Sequence, residues 1–216
     1  MKGMSVVQSS FSGVTEDTAE AQYQALYATC AAGEIDAEAV VQQIGDLFER
    51  TKSPVTKSYC LLFYSAVVDT NALNASALTR LSQRLTTLLE ALSDYRVKDS
   101  TGRYVHFLSH ATYLAQSIHD AGGKVSWKPL LAAYLRGDEA FGWNEDVVLA
   151  ECLLGMVSKA DFPALLAQLH AGEDAGPKAS NKRALWLAMK VLNEHAPRVD
   201  DALFRELVET LAAMVG

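Results

Sequence analysis

Long apolar runs are missing from this chain of 216 residues. The longest, Cys60 to Val68 with Ser65 inside it, falls far short of the about 20 residues a bilayer-spanning helix needs. The opening stretch MKGMSVVQSSFSGV has a lysine but no apolar core of signal-peptide length. Cysteine is sparse as well. Cys30, Cys60 and Cys152 are odd in number and far apart, which excludes a disulfide framework and a CxxC metal or redox motif. Three buried thiols in a reducing compartment are expected, and with them a cytoplasmic protein, the nucleus being the alternative. Positive charge is in deficit: 19 Lys and Arg against 26 Asp and Glu leave a net charge of -7. The surface as a whole is therefore no glove for nucleic acid, although a local basic stripe is compatible with that total. No stretch shows a clear alternation of apolar and polar residues with a period of two, so strands are not expected.

What the chain does have is helical periodicity, in a composition that is half apolar and rich enough for a sizeable core. Ten helices follow from the start and stop signals. Thr15 or Asp17 opens the first, which ends near Gly33, and Asp36 caps the second. Ser53-Pro54 is an N-cap and N1 pair for the third, which ends near Asn71. The fourth runs from about Ser76 to Ser93, and the fifth follows a polar loop at 98–102 and ends at Ala121. Ser126 opens the sixth and Gly137 ends it, while Asn144 opens the seventh and Asp161 the eighth. Pro177 to His195 and Asp200 to Val215 complete the set.

Paired in chain order, these helices form five hairpins starting near 14, 54, 101, 144 and 179. Their spacing resembles the period of HEAT and armadillo repeats, a likeness of architecture without a repeated residue signature. It implies an all-α fold, with antiparallel hairpins stacked in a right-handed superhelix from residue 14 to 216 behind a flexible segment at 1–13. A compact irregular bundle is the alternative. In the fourth helix Leu78, Leu81, Leu85, Leu88 and Leu92 alternate spacings of three and four. Barely two heptads long and surrounded by other amphipathic helices, that seam reads as core packing, not as a dimerising coiled coil.

One stretch, SIHDAGGKV at 117–125, bears on catalysis. His119-Asp120 resembles the His-Asp step of the HD family of metal-dependent phosphohydrolases, which would imply a bound metal and phosphoester hydrolysis. Helix geometry speaks against it. At 100° per residue His119 points roughly 140° to 180° away from His106 and His110, so one helix cannot aim all three at one ion. Positions 85–91, LTTLLEA, supply no upstream histidine on a separate helix. Ala121-Gly122-Gly123 instead reads as a helix C-terminus, with glycine in the left-handed position and His119 and Lys124 at the negative end of the dipole. His106 and His110, four apart, have zinc-compatible spacing but lack the HExxH glutamate; with Tyr113 and Ser117 they form an expected exposed face opposite Tyr104, Phe107, Leu108, Ala111, Ala115 and Ile118. AGGKVS lacks P-loop spacing, and Ser109-His110 lacks a nucleophile elbow. The acidic residues gather in first helical turns, where they cap. No catalytic residue and no cofactor is expected.

Two places suit binding. In the ninth helix, Leu185, Ala188, Met189 and Leu192 form an expected buried seam, while Lys178, Lys182, Trp186 and Lys190 recur every four residues with Arg183 to one side. Cations around an exposed tryptophan would hold an acidic peptide, an acidic helix or a phosphate backbone. The expected loop at 136–146, RGDEAFGWNED, carries Phe141 and Trp143, aromatics that recognise a partner or plug a repeat junction. The expected function is a non-enzymatic scaffold or adaptor for protein partners, with no membrane role. A nucleic-acid-binding helical repeat comes second, disfavoured by the net charge, and an HD-like hydrolase third.

Overall fold

A computed structural model describes residues 11, 13–33, 35–70, 73–91, 107–136, 143–161, 163–165, 167–168, 186–187, 189–190, 202, 204–206, 208–209 and 212. The fold is all-α, and no strand occurs among the described residues. The chain forms two compact units, Met1–Ser126 and Trp127–Gly216.

The first unit holds α1 (Ala19–Ala31), α2 (Ala37–Arg50), α3 (Pro54–Thr70), α4 (Ala75–Ala91) and α5 (Phe107–Asp120). Local chemistry sets their starts. The Asp36 side chain accepts from the Ala39 N–H at 3.1 Å, Ser53 Oγ from the Thr56 N–H at 3.2 Å, and Asn74 Oδ1 from the Ala77 N–H at 2.9 Å. Each satisfies a backbone donor the first helical turn leaves unpaired.

The end of α5 follows the expectation for the His-Asp-Ala-Gly-Gly stretch. Gly122 has φ +82°, its N–H donates to the His119 carbonyl at 2.9 Å, and the Gly123 N–H reaches the Ile118 carbonyl at 2.8 Å. This pair of bonds is a Schellman closure. The two glycines serve different needs. Gly122 supplies the left-handed backbone, whereas Gly123 supplies room: a Cβ there would lie 2.5 Å from Ile118 Cγ2 and 2.9 Å from the Ile118 carbonyl oxygen. Gly33, with φ +71°, ends α1 in open space. Gly123→Ala is therefore expected to destabilise by about 1–3 kcal/mol through overpacking, and Gly33→Ala by about 1–2 kcal/mol through backbone strain alone. Urea midpoints compare them, and a Gly123 variant as stable as the wild-type chain would refute the steric account.

Helix α3 is the centre of the first unit. Pairing in chain order would set it chiefly against α4, but its closest backbone packing is with α5 and α1, then α2. Val55, Cys60, Leu61, Phe63, Tyr64, Ala66, Val67 and Val68 are all buried, so α3 is enclosed on nearly every side. Contacts along the helices set their directions. Glu20 meets Tyr59 and His110 meets Ser58, near the starts of α1, α3 and α5 alike, so these three run the same way. Glu38 at the start of α2 meets Asn74 beyond the end of α3, and Leu78 at the start of α4 lies against Gly123 beyond the end of α5. Helices α2 and α4 thus run opposite to the other three. Leu78, Leu81, Leu85 and Leu89 of α4 are buried and Leu88 half-buried, so the leucine seam is core as far as it is described; Leu92 lies outside the described residues. Phe11 is buried against the Phe63 ring at 5.4 Å between centroids, and Arg50 donates to its carbonyl at 2.7 Å.

The second unit holds α6 (Trp127–Arg136), α7 (Trp143–Met156) and a 3-10 turn at Lys159–Asp161. Leu130, Leu131, Ala133 and Tyr134 of α6 are buried, as are Leu149, Ala150, Leu153 and Leu154 of α7, and the two helices pack together. Asp161 accepts from the Ser158 N–H at 3.0 Å and from its hydroxyl at 2.6 Å, which holds its carboxyl below the usual carboxylate range. Cys30, Cys60 and Cys152 are buried thiols, as expected.

Candidate functional site

The binding stripe of the ninth helix is described at two of its positions. Trp186 is half-buried, and Lys190 Nζ lies 5.9 Å from its ring and 3.0 Å from Glu151 Oε1 of α7. Lys190 is thus turned toward α7, its charge already balanced by a carboxylate. Lys178, Lys182 and Arg183 lie outside the described residues. The expected seam needs correction: Met189 is 56% exposed, while Leu187, not assigned to it, is fully buried. Trp143, expected in a loop, is the first residue of α7, and Phe141 lies outside the described residues.

The expected histidine face also differs. His106 lies outside the described residues, and His110 is half-buried, its Nδ1 2.8 Å from Ser58 Oγ and 3.2 Å from the Ser58 carbonyl oxygen. Ser117, placed on the same exposed face by the 100° projection, is buried. The cause is that α5 packs against both α3 and α4, so its buried face is wider than one stripe. The Ser58-His110 pair resembles a nucleophile and base only in composition. Ser58 is fully buried in the central helix, so no substrate carbonyl reaches its hydroxyl, and the bond ties α5 to α3. Among the described residues no group of three or more histidine, cysteine or acidic side chains converges on a metal position, and no helix is long and apolar enough to cross a membrane.

What the three parallel helices do bring together is a face of tyrosines. Tyr23 and Tyr27 of α1 lie with ring centroids 6.3 Å apart. Tyr59 of α3 packs edge-on against His110 at 5.5 Å and donates its hydroxyl to Glu20. Tyr113 of α5 and Asp69 of α3 lie close enough to Tyr23 to act on its ionisation. Tyr27 is 44% and Tyr113 49% exposed, which sets them among the exposed large apolar side chains of the described residues.

The electrostatics of this face are negative. Hydrogen bonds from Tyr59 and then Gln24 hold the Glu20 carboxyl below its usual range, so it stays ionised. Burial, then the Glu20 hydrogen bond and charge, push Tyr59 up to about 12. Tyr23 is raised by burial first, then by Tyr27, Asp69, Glu20 and Tyr113. The sequence carried one local trace of this face, the four-residue spacing of Tyr23 and Tyr27 on a single helix side. Tyr59 and Tyr113 join it only through packing.

No family model, curated protein or solved structure matches the chain.

Proposed function

We propose that this chain is a non-enzymatic helical scaffold that binds a protein partner across α1, α3 and α5. The observation that carries the reading is the exposure of Tyr27 and Tyr113 beside Tyr23 and Tyr59. Tyrosine gives a large contact area at low cost in side-chain entropy, and it is enriched at the centres of protein interfaces. The row of α1, α3 and α5 with α2 and α4 running oppositely supports a HEAT-like stacking, and such stacks use one face of a helix row to hold peptides or helices. A cytoplasmic or nuclear setting fits the three buried thiols.

The test is crosslinking in the source cell, with the tagged full chain compared with its Tyr27→Ala, Tyr113→Ala double variant. Proteins recovered with the wild-type chain and lost with the variant are the expected result. Recovery of the same proteins with both chains, or of none above a tag-only control, would sink the reading.

A further inference from the structure

Resting on that scaffold reading, we propose that the partner segment received by this face is basic, with Arg or Lys side chains lying over the Tyr27 and Tyr113 rings and paired with Asp69 and Glu20. Four facts bear on the choice. The Tyr27 and Tyr113 side chains are 44% and 49% exposed, and the π-face of a tyrosine ring attracts a guanidinium or ammonium. Tyr23, whose ring lies 6.3 Å from that of Tyr27, has Asp69 and Glu20 near enough to act on it, both carboxylates at exposed positions. Lysines and arginines described on the neighbouring helices are turned to other groups: Arg50 to the Phe11 carbonyl, Lys57 to the Phe48 ring, Arg80 to the Ser76 hydroxyl and Arg84 to the Tyr64 hydroxyl, which leaves His110 as the positive group acting on Glu20. The whole chain carries a net charge of -7.

Competing occupants fare worse on the same surface. An acidic segment would bring like charges against Asp69 and Glu20. A purely apolar helix would take the Asp69 carboxylate, and the Glu20 carboxylate with its bonds from Tyr59 and Gln24, out of water without bringing either a counter-charge, which is costly. A basic segment brings a counter-charge to both carboxylates and uses the tyrosines as more than apolar area.

The experiment uses the full chain and three labelled peptides of equal length, alanine-based with arginine, glutamate or glutamine at alternate turns, followed by fluorescence anisotropy at about 0.15 M salt. Binding of the arginine peptide alone is expected. In the Tyr27→Ala, Tyr113→Ala double variant its affinity should fall about tenfold or more, because two ring faces are lost. The matching Tyr→Phe double variant keeps both ring faces and should stay within about threefold of wild type. Asp69→Asn should weaken binding by about threefold or more, and rising salt should weaken it further. Tyr27, Tyr113 and Asp69 are all exposed, and far-UV circular dichroism verifies that each variant is folded.

Equal affinity of the arginine peptide for the wild-type chain and the alanine variant would show attraction to net charge only, and overturns the proposal. So does failure of the arginine peptide to bind. Tighter binding of the neutral peptide, lost in the alanine variant, overturns the basic partner while leaving the scaffold reading intact. Loss of the scaffold reading itself is read separately, in the crosslinking experiment.

Discussion

Replacing Phe63 with alanine is expected to lower the unfolding free energy by about 3–5 kcal/mol, the range for removing a large buried aromatic ring. Phe63 is fully enclosed on α3, with the Phe11 ring at 5.4 Å and the Tyr59 ring at 6.4 Å between centroids. Its loss removes the transfer free energy of the ring and leaves a cavity between α3 and the segment at Phe11. The neighbours cannot close that cavity without moving a helix, because α3 is gripped on several sides at once. Against a typical stability of about 5–15 kcal/mol, this is a large fraction of what holds a domain folded. Tyr27→Ala on the surface should change stability by no more than about 0.5 kcal/mol, and serves as the control. Urea unfolding followed by far-UV circular dichroism is the suitable measurement. Trp127, Trp143 and Trp186 all belong to the second unit, so tryptophan fluorescence reports elsewhere. A loss below about 1 kcal/mol for Phe63→Ala would contradict a closed core at this position.

Stability is expected to decline steeply in alkali, beginning at about pH 9. Burial pushes the Cys60 thiol from its ordinary 9.0 up to about 12, against the opposing pull of Lys57 and Arg50. Burial likewise raises Tyr64 from 10.0 to about 12, partly offset by the charge of Arg84 and its hydrogen bond to the phenol. Below pH 9 both groups are protonated in folded and unfolded chains, and their contribution is fully present. Above the unfolded values the unfolded chain releases these protons while the folded chain keeps them, so rising pH favours unfolding until about pH 12. Each group then removes about 1.4 kcal/mol per pH unit, Cys60 first and Tyr64 with it above about pH 10. The summed loss for Cys60 is on the order of 4 kcal/mol.

Urea midpoints from about pH 8 to about pH 11, in the presence of reductant, measure the slope. Cys60→Ala starts from a lower stability because of its cavity, but its decline should begin about one pH unit later. A flat profile across this range, or one unchanged by Cys60→Ala, would refute the assignment.

The helix starts and stops were legible because each depends on atoms within one turn of chain. Asp36, the Ser53-Pro54 pair and the Gly122-Gly123 closure all act through hydrogen bonds spanning three to five residues. The leucine seam of α4 was legible for the same reason, since its period repeats inside one helix. The place of α3 was not. Its apolar run from Cys60 to Val68 reads as too short for a membrane, and periodicity alone does not say that three other helices enclose it. The ninth helix misled in the same way: Met189 and Leu187 are both apolar, and only the neighbours decide which is covered. His110 was projected to solvent by an angle measured on one helix, yet a second helix stands there and takes its ring nitrogen.

Sequence by itself determined the all-helical class, the main helix boundaries and the burial of the three thiols, because backbone hydrogen bonds and apolar periodicity are set over three or four residues. Tertiary structure alone decided that α3 lies at the centre, that His110 is tied to Ser58, and that four tyrosines from three helices share one face. Apolar attraction between helices is non-directional and nearly indifferent to which faces meet. The choice among pairings therefore falls to packing between residues far apart in the chain, and the interaction surface is a product of that choice.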